Sequence, residues 1–218
     1  MPLFRLDASI RVDGSHSREV ADLVEAEWAS THPDDTVVRR HVGTDPVPAT
    51  VWADAVSAAY APEDQRTQAQ RDAAVLATQA VDELVAADAL LFAVPLYNFG
   101  VSQHFKAWVD LVITEPRMAP GAEPALAGKP AVLVVVRGGS YAAGTPREGW
   151  DHATGWIQRI LTDVWQLDLT VVEKELTLVG VNPALDQFTD LAAELSTKSQ
   201  QNARDHGRAL AARRPQAA

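Results

Sequence analysis

Two uninterrupted apolar runs limit the fold more than anything else in this sequence: "DALLFAVP" at residues 88–95 and "KPAVLVVVRGG" at residues 129–139. Each is bounded by turn residues and far too short to cross a membrane. Each therefore reads as a strand covered on both faces, the place of a central strand in a parallel sheet. The rest of the chain fits around them. "PLFRLDAS" supplies a strand at 3–8, "TVVRRHV" a short second strand at 36–42, and "DLTVVEKELT" an edge strand. Helical runs alternate with these. Residues 17–30 put Val20, Leu23, Val24 and Trp28 on one face at three- and four-residue spacing, and 50–87 is mostly helical with a break near Ala61 and Pro62. Further helices are predicted at 103–112, 150–165 and 183–212. This alternation predicts one α/β domain over 1–214, a doubly wound sheet of five parallel strands with helices on both faces, then a disordered tail at 215–218.

Composition narrows the partners. The 218 residues are 47% hydrophobic and 22% charged, enough for one substantial core. A formal net charge of −10 disfavours nucleic acid and anionic membrane, which need a positive face, and leaves small molecules as the expected ligands. The absence of cysteine excludes disulfides, thiolate nucleophiles and Cys-ligated metal centres. The start of the chain shows no charged n-region or cleavage site, so a cytoplasmic location is expected. His32, His41 and His206 show no metal-ligand spacing, and no metal is expected.

In a doubly wound sheet, ligands sit outside the carboxyl ends of the strands at the topological switch point. Three loops would meet there: "SIRVDGSHS" after the first strand, "PLYNFG" after the third, and "RGGSYAAGTP" after the fourth. The first offers Ser9, Ser15 and Ser17 ahead of a helix, where free N–H groups and the dipole favour an anion. Read alone, Ser15 or Ser17 is equally a helix cap. The loop lacks the G-K-[ST] of a Walker A motif, there is no G-x-G-x-x-G, and "GGSYA" does not complete a nucleophile elbow. In the second loop, Tyr97 and Phe99 taken alone are packing aromatics and Asn98 a turn residue. Gly138 and Gly139 are either a strand-ending turn or a point of close backbone approach.

Together, S-x5-S-x-S at Ser9, Ser15 and Ser17, P-L-Y-N-F at 95–99, and R-G-G-x-Y-x-x-G-x-P at 137–146 resemble the flavodoxin-like, FMN-dependent NAD(P)H azoreductases and quinone reductases. The resemblance runs in order through nearly the whole chain. It implies the strand order 2-1-3-4-5 and FMN as cofactor, with Ser9, Ser15, His16 and Ser17 around the phosphate. Leu96, Tyr97, Asn98 and Phe99 would lie against the ring and ribityl chain, with Pro95 fixing the entry to their turn, and Arg137, Gly138, Gly139 and Tyr141 would lie by the pyrimidine edge. It further implies NADH or NADPH as donor, a quinone, azo compound or related aromatic as acceptor, ping-pong turnover without a covalent nucleophile, and a homodimer. His104 and His152 are weaker candidates for the same pocket.

The sequence departs from the resemblance at 113–128, "ITEPRMAPGAEPALAG", which has no aromatic residue to cover the substrate side. A wide mouth over the ring, favouring polycyclic quinones, is the expectation there. Two other readings stay open in the sequence: a flavodoxin-like FMN electron carrier, and a flavin-free α/β protein that binds ligands through the same loops.

Overall fold

The computed structural model describes residues 1–119 and 121–213. Pro120 and the tail expected at 215–218 lie outside the described residues. Five parallel strands, β1 (Leu3–Asp7), β2 (Val37–Arg40), β3 (Ala89–Pro95), β4 (Pro130–Val136) and β5 (Asp168–Lys174), form one sheet in the order β2-β1-β3-β4-β5. Their register is continuous, with Phe4 opposite Leu90 and Phe92 opposite Leu133. This is the predicted sheet, with strand ends shortened by one to three residues.

The two apolar runs are buried along their length because helices cover both faces. Along β3 the alternation of a strand sends Leu90, Phe92 and Val94 to one side and Ala89, Leu91 and Ala93 to the other. The first side receives α3 (Gln68–Ala86), α4 (Gln103–Ile113) and α5 (Thr154–Gln158). There Trp108 stands among Phe4, Phe92, Phe105 and Trp165 at centroid distances of 5.9 to 6.3 Å. The second side receives α1 (His16–Thr31) and α6 (Thr189–Ala211), through Val20, Val24, Trp28, Ala203 and Leu210. Burial of such side chains is worth about 1.5–3 kcal/mol each, so the sheet carries helices on both faces because neither face is polar.

The 50–87 stretch divides where Pro62 interrupts it. α2 (Val51–Tyr60) ends at Ala61, a short 3-10 turn follows, and α3 starts at Thr67, whose hydroxyl accepts from the N–H of Gln70 in a reciprocal capping box. α2 packs on α3 through Ala55, Ala58, Ala73 and Ala77. The 150–165 helix is shorter than expected. It begins at Thr154 and widens into a π-helical turn over Arg159–Val164. The closing helix is preceded by a 3-10 segment, Pro183–Phe188. Among the described residues no helix is long and apolar enough to cross a membrane.

Candidate active site

The carboxyl ends of β1, β3 and β4 open into a cleft of about 820 Å³, within the usual size of small-molecule sites. All three predicted loops line it. Of the thirteen residues expected there, twelve do so: Ser9, Ser15, His16, Ser17, Pro95, Leu96, Tyr97, Asn98, Phe99, Gly138, Gly139 and Tyr141. His104 and His152 are not among the lining residues.

Arg137 is the exception. Its buried guanidinium pairs with Asp151 at 2.9 Å, Glu173 at 2.6 Å and Glu175 at 2.7 Å, and donates to the Thr154 hydroxyl at 3.2 Å. It ties β4 to β5 and to the start of α5 rather than facing the cleft. Four partners distant in sequence hold it there, and no local pattern announces them.

At one end of the cleft, Gly14 turns the chain with φ of 65° into Ser15, the N-cap position of α1. Ser15 makes no side-chain capping bond. Its hydroxyl lies 3.3 Å from that of Ser17, and both side chains are buried. The first helical bond runs from Glu19 N–H to Ser15 C=O. The N–H groups of His16, Ser17 and Arg18 are therefore left without a protein acceptor among the described residues, as the first turn of a helix requires when nothing caps it. The loop is braced from behind. Arg18 donates to the carbonyl of Arg11 at 2.9 Å and lies 3.4 Å from Asp7, which is fully buried. Gly43 approaches so closely that a Cβ would fall 2.0 Å from the Ser9 carbonyl oxygen. Lys174, at the end of β5, brings its ammonium within 3.5 Å of His16 Nδ1 and 3.7 Å of Glu19.

The second loop is a tight turn closed by reciprocal backbone bonds between Tyr97 and Gly100, 3.3 and 3.0 Å. Its two central residues, Asn98 and Phe99, both have left-handed backbones, φ 50° and 67°. Asn tolerates that region. A Phe there is strained by an amount on the order of 1 kcal/mol, an arrangement found where surrounding structure imposes it. The Tyr97 hydroxyl supplies part of that constraint by reaching across to the first loop, 3.2 Å from Ile10 N and 3.4 Å from the Ser9 hydroxyl. Asn98 and Phe99 keep their own N–H groups free of protein acceptors among the described residues.

In the third loop, the carbonyls of Gly138 and Gly139 accept from the N–H groups of Leu178 and Leu176, at 3.1 and 3.4 Å. The glycine N–H groups themselves have no protein acceptor among the described residues. Tyr141 and Trp150 stand edge-on to Phe99, at 5.9 and 5.2 Å. Burial first of all pushes the Tyr141 hydroxyl above its ordinary value. Asp151 anchors the end of this loop by accepting from the N–H groups of Ala153 and Thr154 and from the Thr154 hydroxyl.

The remaining wall was not foreseen. Leu176, Leu178, Val181, Leu185, Phe188 and Leu191 line the cleft from the segment after β5, which carries no motif and reads as a strand end and a helix. By contrast, no described residue of 113–128 borders the cleft. That segment sends Met118 and Leu126 into the core, so the wide mouth expected of it is not formed by it in a single chain. Among the described residues no cluster of His, Asp or Glu is placed to hold a metal.

A parallel sheet in this order, with an uncapped helix end and an aromatic turn facing one cleft at its switch point, defines a doubly wound, nucleotide-binding type of α/β protein. The comparisons with known proteins make this particular. A family profile described as a flavodoxin-like fold matches residues 1–197, and the chain belongs to that family. It is similar to the FMN-dependent NADH:quinone oxidoreductase of Frankia alni, 42% identical over 191 residues, which covers 87% of this chain and 90% of the relative. The enzyme of the same name from Streptomyces avermitilis is 34% identical over 212 residues, 97% of each chain. In fold it resembles the azoreductase of Bacillus anthracis strain Sterne, TM-score 0.78 at 18% identity over 96% of this chain and 99% of the other. It also resembles an FMN-dependent NADH-azoreductase of Bacillus anthracis strain Ames Ancestor solved in complex with FMN, TM-score 0.71 at 14% identity over 95% and 100%. The family resemblance drawn from the three loops is borne out.

Proposed function

We propose that this protein is an FMN-dependent NADH:quinone oxidoreductase whose cleft holds FMN and admits donor and acceptor in turn. One observation carries the reading: buried hydroxyls and unpaired N–H groups at a helix start share a single cleft with an aromatic turn and two glycine N–H groups. That donor set matches a mononucleotide with a planar, acceptor-edged ring, and the names of the relatives point the same way. Bound there, FMN would supply two-electron redox chemistry between a reduced nicotinamide donor and a quinone or related acceptor.

The protein's own part is binding, orientation and electrostatics. Ser9, Ser15, Ser17 and the N–H groups of His16, Ser17 and Arg18 would hold the phosphate. Pro95 and Leu96 lead into a turn whose Asn98 amide and Phe99 ring would meet the flavin. The N–H groups of Gly138 and Gly139 would stabilise negative charge on the ring edge. The leucine-rich wall from Leu176 to Leu191 would exclude water from the opposite side. No side chain needs to act as a covalent nucleophile.

Turnover is ping-pong in this account, because donor and acceptor use the same cleft. We place the reaction in the cytoplasm and assign the working form as a homodimer, in which α2, with Trp52 and Tyr60 exposed, meets a second copy. Steady-state kinetics with NADH and a naphthoquinone test this reading. Parallel double-reciprocal lines, lost when FMN is omitted, support it. Intersecting lines or FMN-independent rates contradict it. Light scattering over a dilution series tests the dimer, which a fully active monomer would refute.

A further inference from the structure

The cleft is set apart from the rest of the chain by charge. The protein carries 29 acidic residues against 19 basic ones, yet no described residue lining the cleft is Asp or Glu. Two arginines do line it, Arg11 and Arg147. Elsewhere arginines at this edge are neutralised, as Arg18 is by Asp7 and Arg137 by Asp151, Glu173 and Glu175. Arg11 and Arg147 are exposed and make no ion pair among the described residues.

The two sit on different loops. Arg11 belongs to the serine-bearing loop and falls to the phosphate end. Arg147 belongs to the third loop and the aromatic end, where its guanidinium lies 5.4 Å from the Phe99 ring centre and 5.8 Å from that of Trp150. Cation–π contact with the two rings holds the guanidinium without using its five N–H donors, so they remain available for a planar or multi-oxygen anion. A phosphate held at the α1 start leaves Arg147 without an anion.

We propose that Arg147 is a specificity-determining residue that recognises the anionic group of the second ligand entering the cleft. That group is either the diphosphate of the nicotinamide dinucleotide or an acid substituent on the acceptor. The inference rests on the functional reading above. A ring entering the cleft beside Phe99 leaves its substituent over the lip where Arg147 stands. The carboxylates around this loop are engaged elsewhere, Glu148 by the Gly144 N–H, Asp151 by Arg137 and Glu175 by Arg137 and the Ser140 hydroxyl, and none of them lines the cleft, so an anion entering beside Arg147 meets no facing carboxylate.

The test compares wild type with Arg147→Gln and Arg147→Lys, all loaded with FMN. Specificity constants are measured for NADH against a phosphate-free N-benzyl dihydronicotinamide, and for a sulfonated naphthoquinone against its neutral 2-methyl counterpart. Binding of NAD⁺, which does not turn over, is followed by calorimetry on the same proteins. The proposal expects Arg147→Gln to lower one anionic-to-neutral ratio by about tenfold, with partial recovery in Arg147→Lys. A fall in the donor ratio with weaker NAD⁺ binding assigns the diphosphate. A fall in the acceptor ratio alone assigns an acid-bearing acceptor. If neither ratio moves, or if all four constants fall together, Arg147 serves only to pack Phe99 and Trp150 and the proposal is wrong. Wild type that oxidises no NADH refutes the functional reading instead. In that event NAD⁺ binding decides the proposal alone: binding weakened by Arg147→Gln sustains it, and absent or unaltered binding overturns it.

Discussion

The hydroxyl of Tyr97 accepts the backbone N–H of Ile10 at 3.2 Å, so the loop after β3 holds the loop after β1 across the mouth of the cleft. The same hydroxyl lies 3.4 Å from Ser9 Oγ, which itself accepts from Arg11 N–H. One phenol thus couples the phosphate end of the proposed site to the left-handed turn at its ring end.

Removing that oxygen in Tyr97→Phe should weaken FMN binding by about 0.5–1.5 kcal/mol, the usual net worth of a hydrogen bond, and leave the core untouched. FMN titration by fluorescence quenching, paired with thermal melts without FMN, checks it. Equal affinity in the variant would mean that the two loops are held independently of each other.

Ser15 and Ser17 face each other at the start of α1 with no cap bond to make, which leaves their hydroxyls available to a ligand. The double change to alanine should cost about 1–3 kcal/mol in FMN affinity, as for hydrogen bonds to a charged group. Riboflavin, which lacks the phosphate, serves as the control and should bind the two proteins alike. A loss shared equally by FMN and riboflavin would move the phosphate elsewhere.

Gly138 and Gly139 are neighbours with different surroundings. A Cβ at Gly138 would fall 2.6 Å from Leu178 Cδ1, whereas one at Gly139 meets only Tyr141, at 3.9 Å. Gly139→Val should therefore keep the unliganded melting temperature and lose FMN affinity by tenfold or more, because the side chain enters the space the ring needs. Gly138→Val should displace the Leu178 wall and lower both. Circular dichroism and FMN titration on the same samples distinguish the two. Normal FMN binding in Gly139→Val would place the ring away from this turn.

How much of this was legible follows from the range of the interactions. β3 and β4 announce themselves as apolar runs because burial on both faces leaves no polar alternation to disguise them, and the order of loops follows from the strands. Local chemistry also marks Ser15, Asn98 and Gly139 as candidates. What escaped depends on distant partners. Arg137 is drawn out of the cleft by carboxylates as far away as Glu175. Leu178 and Phe188 become a wall only because the chain folds back after β5. Residues 113–128, with no aromatic residue among them, read as a wide mouth over the ring, but the burial of Met118 and Leu126 shows a segment committed to the core.

Acid should release the third loop. Burial alone would raise the Asp151 carboxyl, but bonds from the Thr154 hydroxyl and the N–H groups of Thr154 and Ala153, with the charge of Arg137, hold it below its ordinary 3.8. A carboxyl lowered on folding stabilises the native state fully above the unfolded value and loses that contribution as pH falls through the folded one. Asp151→Asn should thus destabilise by about 1–3 kcal/mol at neutral pH, with the gap to wild type constant down to about pH 4 and closing below it. Urea melts across this range provide the check. A gap independent of pH would show that the carboxylate charge plays no part.

The central claim is that this cleft holds FMN and passes electrons from NADH to a quinone, and an anaerobic spectral titration tests it most directly. Purified protein supplied with FMN should retain about one flavin per chain through gel filtration and show the two visible bands of the oxidised form. One equivalent of NADH should bleach them, and one equivalent of naphthoquinone should restore them. A protein that emerges colourless, or whose flavin neither bleaches with NADH nor recovers with quinone, would contradict the account.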